Sequence, residues 1–220
     1  MRLILFLVSA VFLFHSLGLA DTPVRIVILG DSLTDGYGVA KDAAYPAVLG
    51  RKFKEAGHSG VDVVNAGISG STTASAESRF RWHLKKKPDV LMIALGGNDG
   101  LRGMKLAQTK KNLSNIISSA KKEKIEVVLA GMKIPPNYGK EYTEGFEQLY
   151  RELAKEFDVA LIPFLLEGVG GEKELNQTDG IHPNEKGHVK MAETVYPHLL
   201  KLVEKRKSQK NASPSSARPS

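Results

Sequence analysis

Five short apolar, β-branched runs alternate along this chain with five longer stretches of helical period, and that alternation leaves few architectures open. The predicted strands are 24–29, 61–64, 90–95, 125–130 and 160–163. The predicted helices lie over 44–56, 73–86, 105–123, 141–156 and 185–205. Strand–helix–strand repetition argues an α/β fold with a parallel sheet and helices on both faces. The nearly continuous apolar character of 24–29 and 90–95 suits strands buried on both sides. No solenoid-length repeat and no internal linker breaks the pattern.

Both ends of the 220-residue chain read as something other than core. Met1-Arg2 precedes a largely apolar run of 12 residues, Leu3 to Phe14, interrupted only by Ser9, and small residues follow at Gly18 and Ala20. This pattern predicts a secretory signal over residues 1–20, cleaved before Asp21, and hence a periplasmic or secreted protein. The apolar run is shorter than the roughly 20 residues of a spanning helix. With no cysteine in the chain, disulfides, thiol nucleophiles, thiolate metal sites and a lipid-anchored cysteine are excluded together.

The segment 205–220 carries five basic residues, no acidic one, and a Ser/Ala/Pro-rich finish, so it is predicted to be a disordered basic tail. Without that tail and Arg2, 25 basic residues face 24 acidic ones. The high isoelectric point therefore belongs to the tail, which could touch anionic lipid or cell-wall polymer weakly. Nucleic-acid binding by the domain, residues 21–204, has no support from net charge.

The polar clusters all fall where strands end or where a loop can return to that edge. Gly30-Asp31-Ser32-Leu33 follows the first strand, Asn65 to Ser71 the second, and Gly96-Gly97-Asn98-Asp99 the third. Asp179-Gly180-Ile181-His182-Pro183 precedes the last helix. In an open parallel sheet the carboxyl ends of the strands converge on one crevice. Ser32 then has a base in His182 and an orienting carboxylate in Asp179, the set needed for acyl transfer through a serine nucleophile. Gly67 or Gly70, with Asn98, could supply donors to the developing oxyanion. The turn dipeptides Asp-Gly and His-Pro would also suit a plain turn before a helix.

The α/β-hydrolase nucleophile elbow, Gly-x-Ser-x-Gly, is absent. The blocks GDSLTDGYG, VVNAGISG, LGGNDGLRG, PPNYG with LAKEFDVALIPF, and DGIHPN instead resemble the SGNH (or GDSL) hydrolase superfamily. They are most similar to its bacterial thioesterase I/lysophospholipase/arylesterase group. The resemblance implies a three-layer α/β/α sandwich with a five-stranded, flavodoxin-like parallel sheet. It also implies hydrolysis of acyl esters, thioesters or lysolipids without metal or other cofactor. Ser32, Asp179 and His182 match the family triad; the Ser32 N–H, Gly70 and Asn98 match its oxyanion hole. Leu101, Ile134, Pro135 and Tyr138 are implied to line the acyl pocket. One departure is visible: Ser71 stands where many relatives have Asp.

Two other readings stay open on the residues. One is a carbohydrate O-acetylesterase on the same scaffold, and the other a catalytically silent lipid- or glycan-binding protein. The carboxylates Asp31, Asp35, Asp99 and Asp179 would hold a metal only if several converged. His58, His83, His188 and His198 read as surface or helix-end residues. The basic and aromatic stretch from Arg79 to Lys87 reads as cations at a helix end, where the helix dipole favours them.

Overall fold

The structure, a computed structural model, describes residues 23–212. The expected signal segment 1–20 lies outside the described residues.

Five parallel strands form one sheet: β1 (Val24–Gly30), β2 (Val61–Gly67), β3 (Val90–Ala94), β4 (Glu126–Ala130) and β5 (Ala160–Ile162). Their order is β2-β1-β3-β4-β5, the flavodoxin-like arrangement, with β1 and β3 central. Every residue of β3 is buried, as the continuous apolar run requires of a strand covered on both faces. Ile26 of β1 pairs with Val63 on one side and Val90 on the other.

Between the strands run α2 (Tyr45–Glu55), α3 (Ala76–Leu84), α5 (Leu106–Lys122) and α6 (Lys140–Phe157), and α7 (Glu185–Ala212) is the last element of the described residues. Two short helices, α1 (Ser32–Asp35) and α4 (Gly97–Leu101), sit directly on the ends of β1 and β3. α2 packs on α7, while α5 packs on both α3 and α6. Phe53, Phe80, Phe146, Tyr45 and Tyr150 fill the layers between helices and sheet. The two buried phenols are satisfied: Tyr45 pairs with the Thr34 hydroxyl at 2.8 Å, and Tyr150 donates to the Leu95 carbonyl at 3.0 Å.

Three boundaries differ from expectation, each for a physical reason. β2 runs on through Gly67, because Asn65–Gly67 continue the ladder with Ile28–Gly30 despite their polarity. Residues 73–75 form a separate 3₁₀ turn before α3. There the Thr73 N–H and hydroxyl bond the buried carboxylate of Asp99 at 2.9 and 2.5 Å. The expected disordered tail does not begin at Lys205, since α7 continues to Ala212. Lys205 pairs with Glu126 at 2.8 Å, and Arg206 and Lys210 pair with Asp89 at 3.3 and 2.8 Å. Acids at the beginnings of β3 and β4 thus hold those basic residues in place; residues 213–220 lie outside the described part. No helix among the described residues is long and apolar enough to cross a membrane.

Candidate active site

β1 ends at Gly30, and the chain turns at once into α1. Asp31 caps that helix, its Oδ1 accepting from the Leu33 N–H at 3.1 Å, which leaves Ser32 as the first helical residue. The turn is pressed against the end of β2. A methyl group on Gly67 would lie 2.1 Å from the Asp35 nitrogen, so only glycine permits this contact.

The loop from Leu175 to Asn184 returns to the same edge. It folds as a small antiparallel turn: Asn176 bridges Pro183, and the Gln177 N–H donates to the His182 carbonyl at 2.7 Å. At its tip Asp179 Oδ1 accepts from the backbone N–H groups of Ile181 and His182, both at 3.0 Å. Asp179 Oδ2 lies 2.7 Å from His182 Nδ1, and His182 Nε2 lies 3.0 Å from Ser32 Oγ. The backbone N–H of His182, and after it the His182 side chain, hold the Asp179 carboxyl down at about 2. With Nδ1 donating to this carboxylate, Nε2 is left as the acceptor facing Ser32 Oγ. In this arrangement His182 Nε2 can take the proton of Ser32 while Asp179 stays ionised.

Of the predicted oxyanion donors, Asn98 lines the same cavity as Ser32, and Gly70 lies in the loop after β2. Gly70, after β2, has φ +77°, the left-handed conformation that favours glycine. Its carbonyl is held by Arg102 Nη2 at 3.1 Å. Asn98, in α4, directs its amide nitrogen to the Ser71 carbonyl at 3.0 Å and to Asp31 Oδ2 at 3.4 Å. Position 71 makes this contact through its backbone carbonyl.

Asp31 is 3% exposed, and burial raises its carboxyl to about 6. Hydrogen bonding to the Leu33 N–H and the neighbouring His182 and Arg79 oppose that rise. Beneath the site, Arg79 donates to the carbonyls of Gly30 and Ala66 at the ends of β1 and β2. Neither Asp31 nor Arg79 was expected from sequence to act as a support.

A cavity of about 480 Å³ opens at Ser32 and His182. Leu101, Ile134 and Pro135 line it, together with Met132, Pro136, Phe164, Leu166 and Ile181. Tyr138 does not. Its hydroxyl instead donates to the Leu101 carbonyl at 2.8 Å, so it braces the wall from behind. Phe164 and Leu166 escaped the sequence reading because they lie in an irregular segment after β5 without periodicity.

The remaining carboxylates go separate ways. Asp35 accepts from the Ser69 hydroxyl at 2.6 Å, and Asp99 from Thr73. His188 corrects the surface reading, for it is 1% exposed, and its Nδ1 accepts from the Tyr45 N–H at 3.3 Å. Burial lowers its imidazole to about 4.

The GDSL-like lipase/acylhydrolase family matches residues 28–190. The chain is 40% identical over 179 residues to the esterase TesA of Pseudomonas aeruginosa, covering 81% of this chain and 89% of that one. It is 42% identical over 185 residues to thioesterase 1/protease 1/lysophospholipase L1 of Escherichia coli, covering 84% and 86%. A crystal structure of TesA superposes with a TM-score of 0.78 at 39% identity, covering 81% of this chain and 99% of that chain.

Proposed function

Because this chain belongs to the GDSL-like lipase/acylhydrolase family and is a serine ester hydrolase, we propose that Ser32 is its nucleophile, His182 its base and Asp179 the orienting carboxylate. The observation that carries this reading is the run of contacts Asp179–His182–Ser32, at 2.7 and 3.0 Å, at the mouth of an apolar cavity.

The ester places its acyl chain against Leu101, Ile134 and Met132, with the carbonyl over Ser32. As Ser32 Oγ attacks, its proton passes to His182 Nε2, and the Asp179 carboxylate stabilises the imidazolium. Negative charge develops on the carbonyl oxygen, which the N–H groups of Ser32 and Gly70 and the Asn98 amide receive. One such donor contributes about 3 kcal/mol to the transition state. The oxyanion takes the amide hydrogen that Asn98 otherwise shares over 3.4 Å with Asp31, the longer of its two bonds. His182 then protonates the leaving group, and the same imidazole activates water to release the acid from Ser32.

Residues 1–20 serve as an export signal in this reading, supported by the basic start, the 12-residue apolar run and the small residues before Asp21. Lysophospholipids and exogenous acyl esters then reach the enzyme more readily than acyl-CoA.

The test is hydrolysis of p-nitrophenyl esters from acetyl to palmitoyl, with Ser32→Ala alongside. Loss of turnover in the variant and a preference for chains longer than acetyl are expected. Equal rates in both proteins would move the chemistry elsewhere, and a preference for acetyl would make the substrate an O-acetylated carbohydrate.

A further inference from the structure

In this topology every helix between strands runs back against them, so helix carboxyl ends collect at the edge where strands begin, opposite Ser32. Basic residues crowd that edge: Lys52 and Lys54 close α2, Arg81 closes α3, and Lys121 and Lys122 close α5. Helix dipoles account for cations in last turns. They do not account for two further features.

The first is backbone strain. The turns leading into β3 and β4 place Lys87 at φ +49° and Lys124 at φ +58°. Glycine is the ordinary residue at such left-handed helix ends; the turn into β5 holds Asp158 at φ +49° in the same way, so the strain is common to three turns and carries a cation at two of them. The second is Trp82, the chain's one tryptophan, which is 57% exposed in the middle of these cations. The Lys86 ammonium lies 5.3 Å from its ring centroid, and Lys85, Lys86 and Lys87 are all exposed. The buried acid of this edge, Asp89, is already neutralised by Arg206 and Lys210.

We propose that this edge, centred on Trp82 and Lys85–Lys87 and extended by Lys122 and Lys124, docks on an anionic phospholipid bilayer. A broad face of separate cations around one amphipathic ring suits a charged interface, where lysine meets phosphate and tryptophan sits at headgroup level. A nucleic-acid site would instead want a continuous groove with several stacking rings. Docking here turns the Ser32 mouth away from the membrane, so substrate arrives from the aqueous side. This inference does not depend on the assignment of the nucleophile.

Trp82 supplies its own probe. The purified protein is titrated with phosphatidylcholine vesicles, and with vesicles in which about a third of the lipid is phosphatidylglycerol. With the anionic vesicles only, Trp82 emission shifts to the blue and is quenched by brominated acyl chains. About 0.5 M NaCl reverses both changes. Lys85→Glu/Lys86→Glu/Lys87→Glu weakens partition by about tenfold or more, with hydrolysis of a soluble p-nitrophenyl ester unchanged as the measure of folding. Lys122→Gln/Lys124→Gly, which relieves backbone strain, weakens it as well. The proposal fails if Trp82 responds equally to neutral vesicles, as insertion of the apolar N-terminal run alone would produce. It fails also if both variants partition like the parent, or if duplex DNA displaces the vesicles at equal salt.

Discussion

Gln177 ties the nucleophile side of the site to the base side across 140 residues of chain, its Nε2 donating to the Tyr37 carbonyl at 2.7 Å and to the Pro183 carbonyl at 2.9 Å. Tyr37 in turn lies against the His182 ring, with centroids 4.7 Å apart. One side-chain amide thus fixes how closely the two loops approach.

Gln177→Ala is expected to lower kcat by about 10- to 100-fold with KM nearly unchanged, since small misplacements of reacting groups are costly. Labelling of Ser32 by a fluorophosphonate should slow in parallel. Unchanged labelling with a raised KM would show that Gln177 shapes substrate binding instead.

Asp31 and His188 drive the pH dependence of stability in opposite directions. The Asp31 carboxyl rises from 3.8 to about 6, so between these values only the folded chain keeps its proton, and its contribution falls as pH rises. The His188 imidazole falls from 6.5 to about 4, so there only the unfolded chain is protonated. Its contribution is full above the higher value and is lost as pH falls toward the lower. In urea titrations between about pH 4 and 6.5, Asp31→Asn should steepen the rise of stability with pH, and His188→Gln should flatten it. Parallel curves for both variants and the parent would refute the assignment.

Lys87→Gly and Lys124→Gly should each stabilise the fold, by about 1 kcal/mol, because each residue occupies a left-handed conformation at a helix end. The check is the urea midpoint at constant m-value. Destabilisation by either change would mean that the lysine side chain contributes more than its backbone costs.

Tyr138→Phe removes the hydrogen bond to the Leu101 carbonyl and leaves the ring in place. For a bond of about 1 kcal/mol, KM for long-chain esters should rise about fivefold with kcat retained. A changed chain-length preference would instead put the phenol in contact with the acyl chain.

The sheet was legible because buried parallel strands must be apolar almost throughout, and 24–29 and 90–95 are. The convergence of Ser32, Asp179 and His182, the proposed triad, was legible because they sit in turn-forming segments at strand ends or returning to them, where the topology can bring them together. The continuation of α7 was not: Lys205, Arg206 and Lys210 look like a solvated tail until Asp89 and Glu126 are found opposite them. Burial of His188 was equally hidden, since a helix-end histidine declares its surroundings only once Tyr45 is placed beside it. Tyr138 belonged to a segment that does line the cavity, yet its direction was set by one carbonyl on another loop.

Ser32 is welded to the sheet through a turn that tolerates no side chain at Gly67, whereas much of the cavity wall beyond Leu101 and Ile181 is drawn from two irregular segments, around Met132–Pro136 and Phe164–Leu166. Mutation can therefore explore one without paying attention to the other. Lineages built on this plan can trade one acyl group for another by redrawing the wall, while the reaction itself is inherited intact.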